Sequence, residues 1–451
     1  MALENTPSNT GVSETHQNKK MKIDTDQPEN NMLNSTNFEP KNLDISNQIL
    51  SKNNIDLHAD PEIPKNIDSM ENIDMRGITI AFDDQAGSDA NETNQSFSER
   101  TADMERYDFY RKVLKSPKYI VAPMVDQSEL AWRILSRRYG AQLCYTPMFH
   151  AKMFSDTSNR GYYNEMWKTN KFDRPLIVQF CANSPQSFVD AAKLVENEAD
   201  AVDLNLGCPQ HIAKRGKYGA FMMDEWKLIE EIITHACANL KIPVTAKIRI
   251  YSDISKTLEY AQMLVRAGAK LLTVHGRLRE QKGHKTGLSD WEQIRLVREN
   301  LPQVPIISNG NILYFEDIEN CIKYTKVDGV MSAETNLYNP ALFSNKLKTN
   351  YEMATEYLQI CKLVPTKISY IRAHLFKLFK PSLPKYVDLR TQLANSKSLE
   401  EMESTEEDQL DEYGYKILPH WYCQPAIRRE FDSKKSVGEK PLGRSIVPIS
   451  D

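Results

Sequence analysis

The sequence has no Cys-x-x-Cys pair. Its cysteines stand far apart, at Cys144, Cys181, Cys208, Cys237, Cys321, Cys361 and Cys423. That spacing speaks against zinc ribbons and iron–sulfur clusters of the usual kind. The histidines are also scattered, so no metal site is expected. There is no apolar run near the roughly 20 residues that a membrane span needs, and no membrane partner is expected. The opening residues, Met1-Ala-Leu-Glu-Asn, lack the basic and apolar regions of a secretory signal. With unpaired thiols, this predicts a reducing compartment, the cytoplasm or the nucleus.

What is present is unevenly charged. Residues 1–100 hold 8 Lys+Arg against 18 Asp+Glu, a balance of −10, whereas the whole chain is at −4. Residues 101–451 are therefore at +6. Within them the run 398–412 carries eight acids and no base, so the rest stands near +14. A basic body suits a polyanion such as nucleic acid, or it is an ordinary solvated face. The first 100 residues contain 15 asparagines and no periodic apolar spacing. A disordered, acidic, Asn-rich arm is expected over 1–104. Lys19-Lys20-Met21-Lys22 within it could serve as a nuclear signal or do nothing.

From about Lys115 short β-rich runs alternate with helical periodicity. The runs are 119–122, 142–145, 175–180, 201–206, 244–249, 271–275, 304–308 and 328–332. Helices are expected near 127–139, 185–197, 225–240, 256–268, 289–300 and 314–325, and a last one after 337; 150–172 is the least clear stretch. Ser184-Pro185 and Ser289-Asp290 read as helix starts and Gly268 as a stop. Eight strand–helix units of this size predict an α/β fold, a TIM (β/α)8 barrel, over 115–348. A doubly wound sheet would show a glycine-rich phosphate turn after its first strand, and Ala122-Pro-Met-Val125 has none.

In such a barrel, chemistry collects where the strands end. Those ends carry Pro123 and Met124, Gln179, Asn205 with Cys208, Lys247 with Arg249, His275 with Arg277, Asn309-Gly310-Asn311, and Ala333-Glu334. Each alone could be a satisfied core polar group. Their recurrence at equivalent positions points to a site. Asn309-Gly310-Asn311 and Ala333-Glu334 suit a phosphate. Lys247 can set positive charge near a flavin ring, Gln179 offers a donor and an acceptor for its pyrimidine edge, and His275 can donate to it. The parts suggest bound flavin mononucleotide (FMN). With a flavin present, the thiol of Cys208 becomes the acid that protonates one carbon of an alkene while hydride reaches the other. Asn205 and Arg277 could hold a substrate carbonyl. The alternative for Cys208 is a small buried hydrophobe.

At this point the residues resemble a known family. Ala122-Pro-Met-Val-Asp126, Val178-Gln179, Asp203-Leu-Asn-Leu-Gly-Cys-Pro209, Lys247-Ile-Arg249, Val274-His-Gly-Arg277 and Asn309-Gly-Asn311 look like the motifs of the tRNA-dihydrouridine synthases. Residues 137–150, 213–221, 329–334 and 418–425 are similar to the eukaryotic 16/17-type branch. The resemblance implies reduction of the C5–C6 bond of uridine in the tRNA D-loop, with FMN recharged by NADPH or NADH. It implies that Cys208 protonates C5. Pro123, Met124, Val125, Gln179, Lys247, His275, Asn309, Gly310, Asn311, Ala333 and Glu334 would line FMN. Asn205, Arg249 and Arg277 would meet the substrate, and Lys214 and Arg215 would lie on a mobile loop beyond Cys208. Many relatives have Gly-Arg where this chain has Ala333-Glu334, so Glu334 would serve through its backbone. Thr335 replaces a usual glycine.

After the barrel, 351–397 read as helices. Tyr370 to Lys380 interleaves apolar positions with Arg372, His374, Lys377 and Lys380, either an ordinary solvated face or, as the resemblance implies, a helical tRNA-binding domain. An acidic disordered insert is expected at 398–413 and a basic tail, with Arg428, Arg429, Lys434 and Lys435, at 414–451. The protein is expected to be a monomer. A flavin barrel acting on free pyrimidines and a tRNA-binding protein without catalysis remain as other readings.

Overall fold

The computed structural model describes residues 101–395 and 422–424. The Asn-rich arm to residue 100, Lys19-Lys20-Met21-Lys22, the acidic run and the basic tail apart from 422–424 lie outside the described residues.

Nine parallel strands form one sheet: β1 (Tyr119–Val121), β2 (Leu143–Tyr145), β3 (Phe149–His150), β4 (Leu176–Cys181), β5 (Ala201–Leu206), β6 (Val244–Arg249), β7 (Leu272–His275), β8 (Ile306–Asn309) and β9 (Gly329–Ser332). The sheet closes on itself because β1 pairs with both β2 and β9, and β2 pairs with β4. β3 takes over from β2 along β4. Cys144 and Tyr145 face Leu176 and Ile177, and Phe149 and His150 face Phe180 and Cys181. β2 and β3 are thus two halves of one stave, interrupted at Thr146-Pro147-Met148, where proline cannot donate to a ladder. Eight staves make the expected TIM barrel. β4, β5 and β8 are buried along their length, as apolar runs covered on both faces require.

The helices around the staves are α1 (Leu130–Arg138), α2 (Ala151–Phe154), α3 (Gly161–Met166), α4 (Pro185–Lys193), α5 (His211–Gly216), α6 (Trp226–Asn239), α7 (Ile254–Arg266), α8 (Trp291–Asn300), α9 (Phe315–Thr325) and α10 (Glu334–Tyr338). The Ser184 hydroxyl caps α4, with proline at its first position. Asp253 and Asp290 cap α7 and α8 in the same way. The unclear stretch 150–172 holds the short helices α2 and α3. Below the barrel, helical Arg106–Asp108 and Phe109–Val113 form a plug. Phe109 and Leu114 pack against Ile120, Leu143, Ile177, Leu271, Ile307 and Met331. Tyr110 donates to Pro117 O and Asp328 O, which precede β1 and β9, so the plug sits at the end opposite the rim.

The last barrel helix differs from expectation. It starts at Glu334, not after residue 337, and runs for 5 residues. The outer layer is completed instead by α11 (Asn350–Leu363) and α12 (Ile368–Leu378), followed by α13 (Val387–Asn395). Trp132 and Leu135 of α1 share one core with Tyr357, Ile360, Ile371 and Leu375. Within it, His374, expected on the polar face of its helix, is fully buried. Its ring stacks on Trp132 at 3.9 Å, and its Nε2 lies 3.0 Å from Glu129 Oε2.

Candidate active site

The rim is built from the carboxyl ends of β4 to β9. Inward-facing positions alternate with core positions, so Gln179, Asp203, Asn205, Lys247, Arg249, His275 and Asn309 converge while Val178, Leu204 and Val274 face the helices. Parallel register sets Gln179 beside Asp203, Asn205 beside Lys247, and Arg249 beside His275.

Two amide side chains and a carboxyl group form one chain. Gln179 Nε2 donates to Asp203 Oδ2 at 2.9 Å, and Asn205 Nδ2 donates to Gln179 Oε1 at 2.7 Å. Asn205 Oδ1 then accepts the backbone N–H groups of Gly207 and Cys208 at 3.1 and 2.9 Å. This is a side-chain turn of the kind asparagine forms two or three residues ahead. It turns the chain out of β5 and sets Cys208, half-buried, at the tip. Gln179 is fully buried. Both its polar atoms are engaged inside the barrel, each by one hydrogen bond, which leaves Nε2 a second N–H and Oε1 a second lone pair. Asp203, which sequence reasoning left unassigned, is the acid at the chain's end. Burial pushes its carboxyl up to about 6, against the bonds from Thr245 and Gln179 and the charge of Lys247. Its even-numbered spacing from Asn205 on β5 was the available signal.

On the other side, Lys247 Nζ donates to Asn309 Oδ1 at 2.9 Å. Burial, then the neighbouring Arg249 charge, brings the Lys247 ammonium down to about 7. Burial, then Lys247, Arg249 and Arg277, hold His275 well below its ordinary range, so the ring is neutral. Arg277 Nη1 lies 3.0 Å from His275 Nε2. A guanidinium only donates, so Nε2 accepts and the ring proton sits on Nδ1. Arg277 Nη2 also bonds Asn311 Oδ1 at 2.8 Å. Gly310, at φ +114°, is required here, because a Cβ would lie 2.7 Å from Ser289 Oγ. Asn309 Nδ2 closes the ring of contacts on Met331 O at 2.9 Å.

The expected residues divide as follows. Lys247, His275, Arg277, Asn309, Gly310 and Asn311 form one contiguous set. Pro123 and Met124 are half-buried in the loop after β1, and Val125 is exposed. Ser128 Oγ, 3.0 Å from Met124 N, fixes that loop. Ala333 and Glu334 are half-buried where β9 passes into α10, and the Glu334 carboxylate lies 3.5 Å from Tyr338 Oη. Thr335 is buried. Arg249 was expected to meet substrate. It is buried, and its guanidinium bonds the carbonyls of Gly207, Leu278 and Gln281 at 2.8, 2.6 and 3.1 Å. Lys214 and Arg215 are exposed on α5, directly beyond Cys208. Lys377 and Lys380 converge on Tyr338 Oη at 3.4 and 3.1 Å, whereas Arg372 reaches Ala394 O at 3.0 Å. The helical region thus gathers two of its three expected cations.

Comparison with known proteins adds what geometry alone leaves open. The family model described as Dihydrouridine synthase (Dus) matches residues 120–418. "tRNA-dihydrouridine(16/17) synthase [NAD(P)(+)]-like" of Rattus norvegicus is 48% identical over 356 residues, covering 76% of this chain and 81% of its own. "tRNA-dihydrouridine(16/17) synthase [NAD(P)(+)]" of Schizosaccharomyces pombe is 48% identical over 362 residues, covering 71% and 90%. Its namesake in Saccharomyces cerevisiae is 47% identical over 356 residues, covering 69% and 84%. The matched region contains every strand of the barrel but the first residue of β1, and the whole rim; by that match the chain belongs to the dihydrouridine synthase family.

Proposed function

We propose that this protein is an FMN-dependent tRNA-dihydrouridine synthase. It reduces the C5–C6 double bond of uridines at positions 16 and 17 of the tRNA D-loop, with NADPH or NADH as reductant. The observation that carries the reading is the half-buried thiol of Cys208, seated by Asn205 at a rim that Lys247 and Arg277 make cationic.

The rim fits a flavin nucleotide. Lys247 spends one donor on Asn309 and has two left for an anion or an electron-rich ring edge. His275, neutral with its proton on Nδ1, can donate without adding charge. The backbone at Asn309-Gly310-Asn311 and Ala333-Glu334 would hold the phosphate end. FMN supplies, when bound, the hydride that goes to C6 of the uracil ring. Cys208 gives its thiol proton to C5, so the two hydrogens of dihydrouridine come from two sources, and the thiolate regains its proton from solvent. Asn205 and Arg277 hold the base, the asparagine through the N–H that Gln179 leaves free. A duplex-stacked uridine cannot reach a barrel rim, so the target nucleotide is turned out of its stack. Lys214 and Arg215 on α5, with Lys377 and Lys380, contact RNA phosphates.

The test compares substrates. The FMN-loaded protein with NADPH is given unmodified tRNA, the same tRNA with U16 and U17 replaced by cytidine, and free uridine. Dihydrouridine in the first alone supports the reading. Equal turnover of free uridine contradicts it.

A further inference from the structure

The peptide units on both sides of Cys208 are held by side chains of other elements, Arg249 at the end of β6 and Lys282 in the loop after β7. Three successive carbonyls are engaged. Gly207 O accepts from Arg249 Nε at 2.8 Å, Cys208 O from Ala220 N–H at 3.0 Å, and Pro209 O from Lys282 Nζ at 2.7 Å. Lys282 lies in the loop that follows β7 and Arg277. The guanidinium of Arg249 grips the same loop through Leu278 O and Gln281 O. Arg279, also in that loop, bonds Asp224 Oδ2 at 2.7 Å at the far end of the segment beyond Cys208.

We infer that Lys282 and Arg249 are positioning residues for proton transfer, clamping the Cys208 tip from the β7–α8 loop and from the end of β6. A charged donor on a carbonyl is a strong hydrogen bond, and two of them bracket a single thiol-bearing residue. The Arg249 fork serves two segments at once, which fixes the distance between them. The segments carry different parts of the reaction: one presents the acid, and the other begins at Arg277, which holds the base. The clamp sets the proton donor and the base holder in one frame, where displacements near an ångström cost rate steeply. Lys282 is exposed as a residue, so its placement on Pro209 O owes nothing to core packing. The inference rests on the reading of Cys208 as proton donor only for its kinetic consequence.

The test uses Lys282→Met in the full chain, with Lys282→Arg as the conservative partner. Hydrogen exchange is followed across 207–224, and turnover of tRNA by the FMN-loaded enzyme is measured in parallel. Lys282→Met is expected to speed exchange in that segment and to lower kcat, each about tenfold, with KM changed less than about threefold. Lys282→Arg keeps a donor at similar reach and is expected within about threefold of the parent in both. Unchanged exchange in Lys282→Met overturns the clamp. Faster exchange with unchanged kcat overturns its role in positioning. Exchange is read without tRNA, so the clamp can hold even if the proposed reaction fails. Arg249→Lys, which keeps one donor and loses the fork, must also speed exchange at 207–209 and 278–281. Unchanged exchange there overturns the clamp as well.

Discussion

Lys247 Nζ and Asn309 Oδ1 meet at 2.9 Å, joining β6 to β8 across β7. The ammonium is enclosed with two arginines nearby, and burial, then Arg249, lowers it to about 7 from an ordinary 10.5. The folded form therefore binds fewer protons than the unfolded form between about pH 7 and 10.5. Stability from this group is lowest below pH 7 and recovers as pH rises. Lys247→Met keeps the stem and removes the charge. The cofactor-free variant should melt above its parent at pH 7, and the gap should close towards pH 10. The same variant should lose affinity for FMN in a fluorescence titration. A lysine that costs stability yet faces the rim is there for its ligand.

The turn behind Cys208 depends on Gly219. Its φ is +64°, and a Cβ would lie 2.8 Å from Cys208 O. Gly219→Ala meets about 1–2 kcal/mol of backbone strain as well as that clash. We expect a folded protein with unchanged far-ultraviolet dichroism and turnover reduced by up to about 100-fold. Equal turnover would show that the tip tolerates displacement.

The joint between α1 and α11–α12 hangs on Glu129. Its carboxylate accepts from Tyr357 Oη at 2.7 Å and lies 3.0 Å from His374 Nε2. Glu129→Ala strands both partners in a buried site and should cost about 3–5 kcal/mol in urea denaturation. Hydrogen exchange should rise across 350–378 more than in β5 or β6. A uniform rise would mean that this joint has no separate stability.

Much of this was legible in the sequence. Ala201–Leu206 and Val244–Arg249 are found with the expected bounds, because apolar alternation between turn residues has one solution at that length. The rim residues followed from barrel topology. Three features were not legible. The stave of β2 and β3 is split, and its second half is two residues long, too short for any period. The plug at 106–113 is tertiary, formed because the barrel floor must be covered. His374 sits at a polar position by type, and only the fold reveals that it is buried, stacked on Trp132 and met by Glu129 at Nε2. The resemblance implies that Arg249 meets the substrate; its bonds to the carbonyls of Gly207, Leu278 and Gln281 are a separate finding, made in part with a loop about 30 residues away.

Lys377 and Lys380 share one phenol oxygen, and two ammonium groups so close suit a single phosphate. Replacing both with alanine should weaken tRNA binding and flatten the plot of log Kd against log salt by about 1–2 units. Arg372→Ala, which loses a tie to Ala394 O, should leave that slope unchanged. Equal slopes for the double variant and the parent would place the RNA grip elsewhere.

The central claim is that Cys208 donates the proton. Its test is single-turnover reduction of unmodified tRNA by the FMN-loaded Cys208→Ala protein, with the parent alongside. We predict that the variant is yellow, binds tRNA and is reduced by NADPH, yet forms dihydrouridine at least about 100-fold more slowly. Dihydrouridine formed at the parental rate would contradict the account.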